Sequence, residues 1–239
     1  MKLPKKITPC PIVEALVELR FIPKLPDEAV YGLLYNELKG YYSKFEKLPI
    51  LQIPEEIRKN DPSFTFKPLY KMISDNYSLS IGHRVVTLGC NKSYIGWEDF
   101  LKRLETTVEK IKSIGLTDKI LRVGIRYINF FDLNIFDKIN LNISKKGNQF
   151  NPEQLNIRAE IKSGKYRNTL PISDRVEVVK ENKIQKGSII DIDTFIEHND
   201  ENDLYADLIT MIKEGHQKEK ELFFGLLEED YLNSLDPKY

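Results

Sequence analysis

The segment IVEALVELRFI at residues 12–22 alternates apolar and other side chains for long enough to form a strand. The apolar residues at odd positions from 13 to 21 fall on one face, and Glu18 and Arg20 fall on the other. Pro23 ends the run. A strand with one apolar and one mostly charged face needs a cover on the apolar face only. This pattern favours an antiparallel sheet that packs helices against one side.

The rest of the first half also shows apolar residues at regular helical or strand spacing. Helical spacing of apolar residues is present at 27–45 and 97–114, three short strands are predicted within 64–90, and a long strand at 120–133. Pro68 predicts that the first short strand lies at a sheet edge or carries a bulge. The order β-α-β-β-β-α-β predicts the α+β class, with a mostly antiparallel sheet and flanking helices.

The second half is less regular. Residues 140–152 are rich in Asn, Lys and Gly and predict an exposed loop, and strands are predicted at 155–162, 175–181 and 187–196. A helical region follows at 202–235, in which Gly215 is expected to break or kink the helix. Strands followed by a helix occur in both halves. We therefore expect two related lobes, residues 1–139 and 140–239, or one continuous domain.

Charge and hydropathy exclude several classes of protein. The 36 Lys and Arg residues balance the 36 Asp and Glu residues, which argues against general electrostatic binding to nucleic acid or to an anionic membrane. No apolar run approaches the roughly 20 residues of a membrane span. The first residues are charged but lack the apolar core of a signal peptide. We therefore expect a cytoplasmic protein that does not bind membranes.

Two segments of the sequence form a distinctive combination, PIVEALVELRF at 11–21 and RVGIRYIN at 122–129. Trp97 lies between them at the head of a predicted helix, and Asp191-Ile192-Asp193 precedes the last helical region. The chain in this respect resembles a sporadically distributed, uncharacterised prokaryotic family of about this length, over nearly all its residues. The resemblance implies no activity, cofactor or catalytic residue. Because patchy distribution often accompanies mobile elements, toxin–antitoxin loci or defence islands, it implies an accessory role in such a system.

A cluster of charged residues is predicted on the sheet. If strands 12–22 and 120–133 are neighbours, Glu18, Arg20, Arg122 and Arg126 come together, and Gly124 leaves room above the sheet. Arginine forks match phosphate or carboxylate groups, so the cluster is a candidate anion site. The alternatives are a ladder of cross-strand salt bridges on a partly solvated face and a protein interface.

A second group of acids lies near the end of the chain's last predicted strand. Asp191 and Asp193 share a face of this strand, and Glu197 and His198 follow. Oxygen ligands of this kind hold hard divalent cations, and a histidine can complete such a site. Alternate acids are also typical of the exposed face of an ordinary strand. No metal ligand is therefore assigned.

Basic residues concentrate in the predicted loops. Lys162, Lys165 and Arg167 accompany Tyr166, and a second basic group, Lys145-Lys146-Gly147, precedes them. Such loops contact phosphates in single-stranded nucleic-acid complexes, although lysine-rich loops are usually only solvated. The three residues are candidate nucleic-acid contacts.

The last helical region carries a dense apolar group. Phe223, Phe224, Leu226 and Leu227 are too close in sequence for one helix face to bury all four. Leftover apolar surface predicts a homo-oligomer contact or a partner site.

Motifs for catalysis are missing from the sequence. We find no H-E-x-x-H, no G-x-S-x-G elbow and no glycine-rich phosphate loop, and neither Cys10 nor Cys90 has a signature that names a histidine partner. No catalytic residue and no cofactor are therefore assigned. His216 is of most interest among the histidines, because it lies beside Gly215 in a helix that is expected to pack near the sheet.

These features favour a non-enzymatic binding or protein-interaction component over an enzyme. A site built from distant residues leaves no motif, so two other functions stay open. One is an enzyme or binding protein for a phosphorylated small molecule or nucleotide, which uses the arginine-lined sheet face. The other is a nucleic-acid-binding accessory protein.

Overall fold

The computed structural model describes residues 3–145, 148–149, 153–180, 183–198 and 204–239. Eleven strands and five α-helices are assigned within these residues. The strands are β1 Ile12–Ile22, β2 Lys44–Lys47, β3 Tyr70–Ile73, β4 Tyr77–Ile81, β5 Val85–Cys90, β6 Lys119–Phe131, β7 Ser144–Lys145, β8 Asn148–Gln149, β9 Asn156–Ser163, β10 Tyr166–Lys180 and β11 Lys183–Glu197. The helices are α1 Ala29–Leu38, α2 Glu55–Asn60, α3 Trp97–Ser113, α4 Leu208–Leu226 and α5 Glu229–Ser234.

Nine strands form one antiparallel sheet in the order β2-β3-β4-β5-β1-β6-β11-β10-β9, and β7 pairs with β8. The sheet and its flanking helices confirm the predicted α+β class. The strands β1 and β6 are neighbours, which is the arrangement that the predicted charged cluster requires.

The position predicted for the first strand of the meander is wrong. The strand β3 lies between β2 and β4 rather than at an edge, and it begins at Tyr70. Pro68 therefore precedes the strand, where its missing N–H removes no ladder bond.

The first helix is shorter than its apolar spacing predicts. It ends at Leu38 and is followed by a 3₁₀ turn that contains Gly40. Phe45, which the helical stripe included, lies instead in β2. The strand places the Phe45 ring 4.8 Å from the Tyr35 ring, so Phe45 is still in contact with α1.

The chain forms two compact units that are interleaved along the sequence. We call Glu14–Ile125 with Phe195–Glu214 the meander unit, and Met1–Val13 with Arg126–Thr194 and Gly215–Tyr239 the hairpin unit. The strands β6 and β11 each contribute residues to both, so no single cut at residue 139 separates the units.

In the meander unit, α1 and α3 pack on one face of the strands. The Tyr31 ring stacks on Tyr70 with 3.9 Å between centroids, and the Tyr77 hydroxyl donates to the carbonyl oxygen of Asp99 in α3. The apolar stripe predicted for α3 is confirmed, and Gly115 ends this helix at a φ of 61°. The buried residues of α3 are Phe100, Leu104, Thr107, Val108 and Ile111.

In the hairpin unit, the strands bury their apolar face against the C-terminal part of α4. The rings of Phe131 and Phe223 stack with 6.5 Å between centroids. The helix runs through Gly215 without interruption, so the predicted break is wrong. A glycine costs about 1 kcal/mol in a helix, which is too little to break one that packs on a sheet. The core consists of Ile7, Phe131, Ile135, Ile139, Leu170, Ile172, Ile190, Ile192, Phe223, Leu227 and Leu235.

At Gly187 in β11 the neighbouring strand β6 approaches too closely for a side chain. A methyl group on Gly187 would meet the carbonyl oxygen of Phe131 and lie 2.8 Å from the Phe130 ring. We expect Gly187→Ala to lower the free energy of unfolding by about 1–3 kcal/mol, because the strands must move apart. Gly225→Ala is the matched control, since nothing lies within 4 Å of its added methyl group. It should stabilise α4 by about 0.5–1 kcal/mol. Urea unfolding measures both, and equal effects would contradict the close approach.

Candidate functional site

The neighbouring strands β1 and β6 bring three of the predicted charged residues into contact within the meander unit. One carboxylate oxygen of Glu18 accepts a hydrogen bond from Arg20 Nε at 2.7 Å and another from Arg122 Nη1 at 2.7 Å. Glu18 lies opposite Thr87 of β5, so the group sits on the sheet face opposite the buried apolar residues of β1. We call these three residues the Glu18 cluster.

Aromatic rings hold both guanidinium groups of the Glu18 cluster. The Cζ atom of Arg122 lies 4.4 Å from the centroid of the Phe195 ring, and that of Arg20 lies 5.0 Å from the centroid of Phe66. A side chain on Gly124 would collide with the Arg122 guanidinium, so the space above this glycine is filled by Arg122 itself. The arginines are therefore fixed in place by rings and by one shared carboxylate.

Exposure separates the members of the Glu18 cluster. The side chains of Arg122, Glu18 and Arg20 are 10%, 20% and 34% exposed. Arg20 uses its Nε for Glu18, and within the described residues its two terminal amino groups donate no hydrogen bond to a protein atom. A positioned guanidinium with an open edge is able to take a carboxylate or phosphate in the bidentate manner that arginine favours.

Arg126, the fourth predicted member, belongs to the hairpin unit and has a different partner. Its Nε and Nη2 donate to the two carboxylate oxygens of Asp191 at 2.8 and 2.6 Å. This bidentate pair also accounts for one of the two acids that suggested a metal site. Asp193 lies two residues further along β11. Among the residues described here, no three His, Cys, Asp or Glu side chains are arranged to hold a metal ion.

The structure brings two of the predicted nucleic-acid contacts together. Lys162 of β9 lies opposite Arg167 of β10, and the turn between them contains Gly164 at a φ of 63° and Lys165. Lys162, Lys165 and Arg167 are exposed, whereas Tyr166 is buried. The earlier basic group is only partly described, because Lys146 and Gly147 lie outside the described residues. Nucleic-acid binding stays a prediction.

The apolar group predicted as an interface takes part in the core of the hairpin unit. Phe223 and Leu227 are 6% and 3% exposed, while Phe224 and Leu226 are partly buried against the same core. Packing within the unit thus buries much of the surface of all four residues. The short helix α5 contributes Tyr231 and Leu232 to the same core and so adds apolar surface against which they pack.

A buried polar group under α4 includes a residue that the sequence interpretation missed. The Tyr127 hydroxyl and His216 Nδ1 are 3.2 Å apart, and Glu219 lies one helical turn after His216 with 4% of its surface exposed. Burial lowers the pKa of His216 to about 3 and raises the pKa of Glu219 to about 8. Glu219 lies on the apolar stripe of α4, between Ile212 and Phe223. A carboxylate on an apolar stripe is the sequence feature from which its burial could have been predicted.

No described helix is long and apolar enough to cross a bilayer. Two clefts are lined by residues outside the Glu18 cluster, one of about 420 Å³ in the meander unit and one of about 500 Å³ in the hairpin unit. Comparison with protein-family models and with curated proteins finds no match to this chain.

The shared carboxylate of the Glu18 cluster should contribute more to the free energy of unfolding than an ordinary surface ion pair does. We expect Glu18→Gln to lower the free energy of unfolding by about 1.5–3 kcal/mol, because it leaves two packed guanidinium groups against a neutral amide. The matched control is Glu14→Gln on the same strand, where the side chain is exposed. It should change stability by less than about 0.5 kcal/mol. Chemical denaturation measures both variants, and equal values would contradict the role of the shared carboxylate.

The buried polar group predicts how stability depends on pH. The ordinary pKa values are 4.5 for Glu219 and 6.5 for His216, so between these values the folded and unfolded chains bind equal numbers of protons at the two sites. Above pH 6.5 stability should fall towards pH 8, because the folded chain retains the Glu219 proton that the unfolded chain has released. Below pH 4.5 it should fall towards pH 3, because only the unfolded chain protonates His216.

Unfolding free energies measured across this pH range check the expectation. Glu219→Gln should abolish the fall on the alkaline side and make the fall on the acid side begin at pH 6.5, because His216 is then the one of the two sites that still titrates. If the variant kept the alkaline fall at full size, Glu219 would not be its source.

Proposed function

We propose that this chain is a non-catalytic binding protein, and that the Glu18 cluster is the surface on which it receives an acidic side chain of a partner protein. One observation carries the proposal. The guanidinium of Arg20 is held by Glu18 and by the Phe66 ring, yet its terminal amino groups donate no hydrogen bond to a protein atom within the described residues, and 34% of the side chain is exposed. The group is ordered before binding, so little conformational entropy is lost when an anion arrives.

Charge favours an acidic partner group. The three residues of the Glu18 cluster carry two positive charges and one negative charge, so an added carboxylate balances them. A lysine or arginine from a partner would be repelled. Complementary charge of this kind governs partner choice and association rate more than it governs total affinity.

The composition of the surface favours a protein partner. The cluster lies on the strand face near Thr87. Protein interfaces are enriched in arginine and aromatic residues, and the pairs Arg20–Phe66 and Arg122–Phe195 match this composition.

The resemblance to a sporadically distributed prokaryotic family suggests where the partner comes from. A partner encoded near this chain, within a mobile-element, toxin–antitoxin or defence locus, is the first one to test. A phosphorylated small molecule that binds the same arginines is the competing outcome of that test.

Native mass spectrometry of the protein purified gently from its own host tests the proposal. We expect a co-purifying protein whose affinity falls about 10- to 100-fold in Arg20→Gln, the range for loss of a hydrogen bond to a charged group. The fold should survive, because Glu18 keeps its bond to Arg122. Arg84→Gln is the matched control, a guanidinium of the same unit that already pairs with Asp27.

A charge exchange then locates the contact. Arg20→Glu should abolish binding, and a single Asp or Glu of the partner changed to Arg should restore it. The proposal fails if Arg20→Gln binds the partner as tightly as the wild type, or if a retained phosphorylated molecule is found at the cluster with no partner protein.

A further inference from the structure

A second candidate site lies in the meander unit, on the side of the strands that carries the helices. It is the cleft of about 420 Å³ between β4 and α3, which is lined in part by Tyr41, Tyr77 and Arg103. Tyr77 pairs with Cys90, whereas Glu18 pairs with Thr87, so the two sites are on opposite faces of the strands. The cleft is therefore independent of the surface proposed above.

The guanidinium of Arg103 is fixed by two aromatic rings. Its Cζ atom lies 4.8 Å from the centroid of Tyr41 and 5.0 Å from the centroid of Tyr77. The rings come from a turn after α1 and from β4, so two separate elements converge on one side chain of α3. A guanidinium against a ring keeps its N–H groups at its edge, where they are available to an acceptor.

Arg103 forms no ion pair with any residue in the described part of the chain. The natural partner one turn before it is Asp99, but the carboxylate of Asp99 accepts from Lys102 Nζ at 3.0 Å. The Tyr77 hydroxyl donates to the backbone carbonyl of Asp99 and so fixes this ring beside the arginine. The lining thus contains one balanced pair and one cation that has no anion.

A buried hydroxyl beside this arginine is also unsatisfied. Tyr42 is 6% exposed, and among the described buried side chains its hydroxyl is the one polar atom without a hydrogen-bond partner. It lies near enough to Arg103 and Tyr77 for both to affect its pKa, which burial raises to about 12. Tyr42 is not among the residues that line the cleft, so the site rests on Arg103, the cation of the lining that has no anion.

We propose that this cleft binds a small organic molecule through a carboxylate or phosphate group, and that the guanidinium edge of Arg103 donates to two of its oxygens. The volume lies within the range of about 300–1,000 Å³ that is usual for small-molecule sites. The rings of Tyr41 and Tyr77 supply apolar surface for the rest of the ligand.

Calorimetric titration with four probes tests the proposal. Adenosine 5′-monophosphate and inorganic phosphate carry a phosphate, benzoate carries a carboxylate, and adenosine carries neither. We expect at least one anionic probe to bind with a dissociation constant of about 1 mM or tighter. Binding of only the phosphates or only benzoate identifies the source of the oxyanion, and either result supports the site.

Variants assign the binding to Arg103. Arg103→Gln should weaken it about tenfold or more, because the charged donor is lost. Arg84→Gln, whose guanidinium is paired with Asp27, should leave it unchanged. Asp99→Asn should tighten binding, because it removes a negative charge from the lining and releases Lys102. This variant keeps the test decisive if Arg103→Gln does not fold.

Three results would overturn the proposal. The first is that no anionic probe binds at about 5 mM, several times the millimolar dissociation constant expected of a weak site. The second is that adenosine binds as well as its monophosphate. The third is that neither Arg103→Gln nor Asp99→Asn changes the affinity of the probe that binds.

Discussion

Each strand of this sheet can hide only one face beneath a layer of helices, and that constraint places the charged residues of the protein. In β1 the apolar residues at odd positions from 15 to 21 are buried, so Glu18 and Arg20 must share the other face. The same alternation in β6 puts Val123 in the core and Arg122 beside Glu18. The shared carboxylate is thus a consequence of pairing two amphipathic strands in one register, and no loop has to be ordered to build it.

The sequence predicts correctly those elements whose spacing of apolar residues fits either a helix or a strand but not both. The strand at 12–22 and the helix that begins at Trp97 are confirmed almost residue for residue. The chain after Leu38 shows where periodicity fails. Apolar residues continue at helical spacing to Phe45, yet Phe45 belongs to β2 and packs its ring on Tyr35. An aromatic residue that packs on the same core from a helix or from a strand can occur at the same spacing in the sequence, so the spacing alone does not distinguish the two.

The candidate sites differ in the same way. Glu18, Arg20 and Arg122 could be grouped from the sequence, because strand alternation gives the face of each and only the neighbour relation was missing. The arrangement around Arg103 could not be predicted, since its rings come from a turn and a strand that are distant in sequence. Glu219 is intermediate. Its helical position marks it as buried, but only the packed structure shows that 4% of its surface is exposed, a burial that raises its pKa to about 8.

Four arginines of this chain show why pairing says more about function than the presence of a charge does. Arg126 meets both oxygens of Asp191, and Arg122 joins Glu18 while covering the Phe195 ring. Arg20 gives its Nε alone to Glu18, and Arg103 pairs with no carboxylate in the described residues. A guanidinium that packs against rings loses part of its hydration, and only a new acceptor replaces it. An anion therefore gains most at Arg20 and Arg103, and the binding chemistry of the meander unit is expected at these two residues, each on its own face of the strands.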